Sequence, residues 1–209
     1  MKNVLIIGST GQIGSDLTMK LRREFPEGQI VAGYIPGFEP KGELLESGPA
    51  EIVNVCDGKQ IADVVKKYNV DTVYNLAALL SATAEKFPLK AWDIQMNGLI
   101  NILEVARENS CAVFTPSSIR AFGPQTPHDN TPQDTIQRPK SIYGVTKVAT
   151  ELLSDYYFYK YGVDTRSVRF PGLISYTTLP GGGILATSDL SSEWNETEEK
   201  MNTLKRLLL

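Results

Sequence analysis

The sequence predicts an α/β fold, a doubly wound parallel sheet with helices on both faces, and two observations predict it. Short apolar runs alternate with helical patterns from the N-terminus onward, and the runs are too uniformly apolar to keep one face in water. Parallel neighbours need long crossovers, which helices supply. In order, the elements are the strand "NVLIIG", a helix over 12–25, the strands "QIVAGY" and "EIVNV", a helix over 57–68, and the strand "DTVYNLAA". A helix over 91–109, the strand "CAVFTPSS", a helix over 142–161 and the strand "DTRSVRF" complete the series. Right-handed crossovers then give the sheet order 3-2-1-4-5-6. The link "IPGFEPKGELLESGPA" is too polar and too rich in Gly and Pro for a full crossover helix. Residues 123–140 carry four prolines and read as a long surface loop, placed to cover a site just before the helix at 142.

The pattern continues to residue 183, so 1–183 is expected to be one domain. Residues 184–209, "ILATSDLSSEWNETEEKMNTLKRLLL", form a divergent tail, acidic and polar before a Leu-rich end. Its last part, 193–209, has the spacing of an amphipathic helix, but no second domain is completed. With 42% hydrophobic and 22% charged residues, the 209-residue chain is large enough for a sizeable core. A net charge of −3 leaves no basic surplus for nucleic acid, which is excluded as a partner. The N-terminal apolar run "VLII" is too short for a signal-peptide core or a membrane span, so a cytoplasmic protein is expected. Cys56 and Cys111 lie outside any CxxC pattern and are expected to be buried as small hydrophobes. The single histidine, His128, falls in the Pro-rich loop, so no His-rich metal site is expected; the sequon at Asn195 has no secretory route to use it.

Three glycines stand where the first strand meets the first helix: Gly8, Gly11 and Gly14 in "VLIIGSTGQIGSDL". In that context the first permits a tight turn, the second lets backbone approach a pyrophosphate, and the third lets helix pack on strand. The helix N-terminus offers amides to the same anion. This is the signature of a Rossmann-type dinucleotide site. An acid is expected to close the second strand and hold the adenosine ribose, but Gly33 and Tyr34 stand there, and no Arg follows for a 2′-phosphate. NAD is the expected cofactor, with Tyr34 beside the adenosine. Asn54 and Val55, at the end of the third strand, either meet the adenine edge or simply terminate the strand.

"SIYGVTKVATELL" places Tyr143 and Lys147 four apart on one helix face, within reach of one bound molecule. A cation about 4 Å from the phenol, at an effective dielectric of about 20, is worth roughly 4 kcal/mol before losses. That is enough to lower its pKa by about one to three units and poise it as a base. Val145, Val148, Leu152 and Leu153 would pack the helix. Ser117 and Ser118, at the carboxyl end of the fifth strand, either form a turn or hold a substrate oxygen.

These strings together resemble the extended short-chain dehydrogenase/reductase family: the glycine triad, "NLAA" at Asn75 to Ala78, "PSS", and Tyr143-x-x-x-Lys147. "NLAALLSA", "VFTPSSIRAFGP", "YGVDTRSVRFPGLIS" and "TLPGGG" are similar to the NAD-dependent L-threonine 3-dehydrogenase branch. The resemblance implies oxidation of L-threonine to 2-amino-3-ketobutyrate. Tyr143 would be the general base, and Lys147 would lower its pKa and hold the nicotinamide ribose. Ser118, 25 residues before Tyr143, matches the catalytic Ser of the sugar-nucleotide epimerases, while Ser117 matches a serine lining the threonine enzymes' site. Ser81 matches a substrate contact. Gly8, Ser9, Thr10, Gly11, Gln12, Ile13, Asn54, Val55, Leu76, Ala77, Ala78 and Pro171 match cofactor contacts. Asn97 resembles a helix Asn near the nicotinamide, or serves helix capping. Relatives pair as homodimers through the helices at 91–109 and 142–161.

The likeness stops at about residue 183. Extended members continue into a smaller substrate lobe, and in the threonine enzymes "PGGG" leads into "TTDYA", where this chain has "ILATS". A truncated or frame-shifted product with an incomplete lobe and uncovered apolar surface is the expectation. Two other readings stand beside the threonine dehydrogenase: a catalytically inactive NAD-binding remnant, and a sugar-nucleotide epimerase or dehydratase.

Overall fold

The structure, a computed structural model, describes residues 2–127 and 129–172. The expectations for His128, for "TLPGGG", for Asn195 and for the tail at 184–209 lie outside the described residues. The first half runs β1 (Asn3–Ile7), α1 (Gln12–Glu24), β2 (Gln29–Tyr34), α2 (Glu43–Glu46), β3 (Ala50–Ile52), α3 (Gly58–Tyr68) and β4 (Thr72–Asn75). Next come α4 (Ser81–Lys86), α5 (Pro88–Trp92), a π-helical turn (Asp93–Asn97), α6 (Gly98–Asn109), β5 (Ala112–Phe114) and β6 (Ser117–Ser118). A 3₁₀ turn (Ile119–Ala121), α7 (Ile142–Tyr161), β7 (Thr165–Arg166) and β8 (Arg169–Phe170) follow.

Six strands form one parallel sheet in the order β3-β2-β1-β4-β5-β7. The run "DTRSVRF" fills the expected sixth place but divides. Its first part, β7, closes the main sheet, and its second, β8, pairs with β6 in a separate two-stranded sheet. Successive side chains of β1 enter different cores. Leu5 and Ile7 pack in the cluster with Val31, Val73, Leu99, Ile102 and Leu103, whereas Val4 and Ile6 join Leu17, Leu21, Tyr74 and Phe114. Both faces of the sheet are thus covered, which is why the strand shows no polar alternation.

Local chemistry sets the helix ends. Asp57 accepts a hydrogen bond from the Gln60 amide at the start of α3, and Ser141 accepts one from the Gly144 amide at 3.0 Å at the start of α7. Gly162, at φ +71°, ends α7 in the left-handed conformation. The link between β2 and β3 holds only the single turn α2. The helical pattern at 91–109 starts earlier, at Pro88, and contains the π turn; α4 is an element the periodicity does not reveal.

Two packing expectations are corrected. Val145 and Leu152 face solvent, at 41% and 63% exposure, while Lys147 is buried at 6%. The buried residues of α7 are Gly144, Thr146, Lys147, Thr150, Ser154 and Tyr157, with Leu153 packed against the core as expected. Small side chains let it lie close to its neighbours: a Cβ on Gly144 would meet the Arg120 carbonyl at 2.4 Å. Cys111 is buried as expected, but Cys56 is exposed because β3 ends at Ile52, and its thiol stands 3.5 Å from the Asp93 carboxylate.

Candidate active site

At the carboxyl end of β1 the chain turns through Gly8 at φ +83°. The Gly33 carbonyl accepts three hydrogen bonds, from the Gly8 amide, the Ser9 amide and the Ser9 hydroxyl, each at 3.0 Å. That explains one departure at the end of β2: backbone, not a side chain, anchors the loop there. A Cβ on Gly14 would come within 2.2 Å of the Gly8 carbonyl, so this position must be bare for α1 to pack on the loop. A Cβ on Gly11 would meet only the Gly8 carbonyl, at an ordinary 3.4 Å. The surface over Gly11 is therefore open to an approaching group.

Helix α1 has no side-chain cap and no acid in its first turn. Its backbone ladder begins with the Ser15 amide donating to the Gly11 carbonyl at 2.9 Å, so the amides of Gln12, Ile13 and Gly14 have no acceptor inside the helix. Among the described residues, the buried Gln12 Nε2, Asn75 Oδ1 and Thr115 Oγ1 lack hydrogen-bond partners. Asn75 ends β4 and Thr115 follows β5, on the sheet edge where open α/β sheets bind ligands. An uncapped helix start, an open glycine cradle and polar atoms left unpaired fit a dinucleotide with its pyrophosphate at Gly8–Gly14.

The other expected cofactor contacts sit around this cradle. Leu76 and Ala77 pass beside Gly8, whose added Cβ would meet the Leu76 carbonyl carbon at 3.0 Å and the Ala77 amide at 3.1 Å; Ala78 is exposed. Asn54 uses its side chain locally, accepting from the Cys56 amide at 3.0 Å, while its own amide donates to Gln60 at 2.6 Å. Val55 is buried, and its carbonyl accepts from Asn101 at 2.9 Å. Asn97 closes the π turn and donates to Asp93 at 2.7 Å. Thr10 lies in the loop and Tyr34, half-buried, ends β2.

The second constellation lies at the end of β5. The Ser118 hydroxyl accepts from the Arg120 amide at 3.2 Å and lies close enough to the Tyr143 phenol to pull its pKa down. Lys147 Nζ donates to the Pro116 carbonyl at 2.7 Å and stands 5.4 Å from the Tyr143 ring centroid. Burial pushes the Lys147 ammonium down to about 8, against the opposing pull of the Glu151 carboxylate. The Tyr143 phenol is corrected from the expectation. Its pKa is raised by burial, which outweighs the lowering by the Ser118 hydroxyl and the Arg120 guanidinium. The ammonium is directed to the Pro116 carbonyl rather than to the phenol oxygen.

Neighbouring elements brace the pair. Thr146 donates to the Tyr143 carbonyl at 2.8 Å and accepts from Gln95 of the π turn at 2.8 Å. Glu85 of α4 accepts from the Ile142 amide at 2.7 Å, tying to α7 the helix that Ser81 begins. Pro171 follows directly on β8, whose Phe170 lies in register with Ser118. The two serines are sorted: Ser118 meets Tyr143, and Ser117 donates to the Glu151 carboxylate. Sequence reasoning missed Glu151, Arg169 and Arg120; the one available signal was Glu151, four residues beyond Lys147 on the same face. A hydroxyl, a phenol and a buried cation thus converge at the carboxyl edge of the sheet beside the glycine cradle. That arrangement can hold an alcohol oxygen and take its proton.

The model of the NAD-dependent epimerase/dehydratase family matches residues 4–187. The chain belongs to that family. It is 56% identical over 183 residues to an uncharacterized epimerase/dehydratase of Staphylococcus saprophyticus, covering 88% of this chain and 57% of that one. A Staphylococcus aureus relative of the same description is 50% identical over 194 residues, covering 92% and 59%. Among solved structures, L-threonine dehydrogenase from Clostridium difficile superposes with a TM-score of 0.81 at 57% identity, over 88% of this chain and 57% of that one. The holo form of the Cupriavidus necator L-threonine dehydrogenase gives 0.81 at 43% identity, over 87% and 58%. A UDP-glucose 4-epimerase from Brucella ovis shares the fold, with a TM-score of 0.73 at 22% identity over 83% and 53%. The family member described here thus spans just over half the length of the relatives it matches. Its sheet is of the Rossmann type, as in those neighbours, and none of its described helices is long and apolar enough to cross a membrane.

Proposed function

We propose that this chain carries the NAD-binding and proton-transfer parts of an L-threonine 3-dehydrogenase. The observation that carries the reading is the convergence of Ser118, Tyr143 and Lys147 beside the glycine cradle, in a chain 57% identical to a structure described as an L-threonine dehydrogenase. Gly8, Ser9, Thr10, Gly11, Gln12, Ile13 and Gly14 cradle the pyrophosphate, and the first-turn amides of α1 hold its charge. Asn54, Val55, Leu76, Ala77, Ala78, Asn97 and Pro171 line the remaining length of NAD, Asn54 and Asn97 mainly as shape because their side chains are engaged locally. When bound, NAD accepts the hydride that C3 of threonine loses as 2-amino-3-ketobutyrate forms.

Ser118 donates to the substrate's 3-oxygen, and Tyr143 takes the proton from the 3-hydroxyl. Lys147, cationic at neutral pH and fixed by the Pro116 carbonyl, holds the nicotinamide ribose. Ser81 contacts the substrate from the start of α4, while Ser117 acts from behind Ser118. The exposed apolar positions on α5, α6 and α7, among them Leu89, Trp92, Ile100, Leu152 and Tyr159, support a homodimer joined through these helices.

The test is a substrate comparison with NAD and the purified chain. The reading expects NADH from L-threonine and no interconversion of UDP-sugars. Conversion of a UDP-sugar would favour an epimerase, the class named by the curated relatives' descriptions. Calorimetric NAD binding without turnover of any substrate would select an inactive NAD-binding chain.

A further inference from the structure

Outside the groups assigned above, Glu151 is a carboxylate that receives four side-chain hydrogen bonds. Both carboxylate oxygens are used. Arg169 Nε donates to Oε1 at 2.9 Å and an Arg169 terminal nitrogen to Oε2 at 2.7 Å, a bidentate pair at 15% and 19% side-chain exposure. Ser117 donates to Oε1, and Gln137, from the proline-rich loop, to Oε2 at 3.3 Å. Arg169 also donates to the Gln133 carbonyl at 3.1 Å, so the pair fastens two points of that loop.

Ser117 and Arg169 are register partners across β6 and β8. One carboxylate on α7 therefore bolts both strands of the small sheet at the same rung. Side chains alternate along a strand, so turning Ser117 toward Glu151 leaves Ser118 directed to the opposite side, where it meets Tyr143. Pro116, the residue before Ser117, supplies the carbonyl that holds Lys147. Glu151 is one helical turn beyond Lys147 and two beyond Tyr143, so the same helix presents all three.

We propose that Glu151 is a positioning residue of the proton-transfer site, locking β6 against α7 so that Ser118 faces Tyr143 and the Lys147 ammonium stays on the Pro116 carbonyl. This rests on the proton-transfer role proposed above for Tyr143 and Lys147, but its test does not need turnover. The groups that set the field at Lys147 are Tyr143 and Glu151. Those facing Glu151 are Arg169 and, around a cavity of about 530 Å³, Asp134, Asp155 and Arg166. Changing Glu151 or Arg169 alters this field in opposite directions.

The experiment follows the titration of Lys147 by NMR of its ε-carbon in protein labelled with ¹³C-lysine, the signal being assigned with Lys147→Met. In Glu151→Gln the midpoint falls by at least about half a pH unit, roughly threefold in the protonation constant. In Arg169→Gln, where the carboxylate is no longer neutralised, it rises above that of wild type. Wild-type midpoints in every variant that folds would overturn the proposal. Unfolding of both variants would also overturn it, by making Glu151 a brace of the fold. Absence of turnover in wild type with these shifts intact would remove the dehydrogenase reading and leave the coupling of Glu151 to Lys147 standing.

Discussion

Gly11, at the N-cap of α1, and Gly14, in its first turn, stand three residues apart, and replacing each by Ala is expected to damage different properties. In Gly14→Ala the new Cβ would lie 2.2 Å from the Gly8 carbonyl and 2.7 Å from Ser9 Cα, both backbone atoms. Restoring an ordinary 3.4 Å contact needs α1 to move by more than about 1 Å. Overpacking of that kind costs roughly 1–3 kcal/mol, offset by about 0.5–1 kcal/mol from replacing a helical glycine. A net loss of about 2 kcal/mol lowers the melting temperature by about 4–8 °C for a chain of this size. In Gly11→Ala the Cβ meets only a 3.4 Å contact, at φ −77°, so stability should stay within about 1 kcal/mol of wild type. The methyl instead occupies the space through which a pyrophosphate reaches the loop. Losing one charge-assisted hydrogen bond there costs roughly 1.5–3 kcal/mol, about tenfold to a hundredfold in NAD affinity. Calorimetric NAD titration and thermal melts separate the two effects. If Gly11→Ala binds NAD as wild type does, the backbone of this loop is not where the pyrophosphate lies.

Three further outcomes follow from single positions. Lys147 has its ordinary value of 10.5 in the unfolded chain and about 8 in the folded one. Between those pH values the unfolded chain keeps a proton that the folded chain has released, so this group makes stability rise with pH, by at most about 3 kcal/mol. Urea unfolding of wild type minus Lys147→Met across that window should show the rise; parallel curves would contradict it. Leu152→Glu, at an exposed position of α7, should convert a dimer to monomer in sedimentation without changing the fold, and a dimer that persists would place the interface elsewhere. Tyr34→Asp supplies the carboxylate missing from the end of β2 and should raise the preference for NAD over NADP by about tenfold; an unchanged ratio would mean the adenosine ribose does not reach this strand end.

The main sheet was legible in the sequence because its central strands β1, β2 and β4 are largely buried on both faces and most of its crossovers are helical. The glycine cradle was legible because Gly8 and Gly14 occupy places where a Cβ would meet backbone. Helix α7 was legible in extent but not in orientation: periodicity places Val145 and Leu152 on a common side without saying whether that side meets the protein's own core. Around the Tyr143–Lys147 turn its inward face is instead Gly144, Thr146 and Thr150, which hydrophobic patterning cannot find. Cys56 was misjudged because β3 stops at Ile52, well before the apolar run does. Which serine serves Tyr143 depended on the pairing of β6 with β8, set by residues more than fifty positions apart. The raised Tyr143 pKa followed from burial, which a spacing of four residues does not specify.

The central claim, that Tyr143 takes the substrate proton in an NAD-dependent oxidation of L-threonine, is tested most directly by the initial rate of NADH absorbance with L-threonine and NAD in wild type and Tyr143→Phe. The account predicts a threonine-dependent rate in wild type and a fall of at least about a hundredfold in the variant, with NAD affinity unchanged. Equal rates in the two proteins would contradict it.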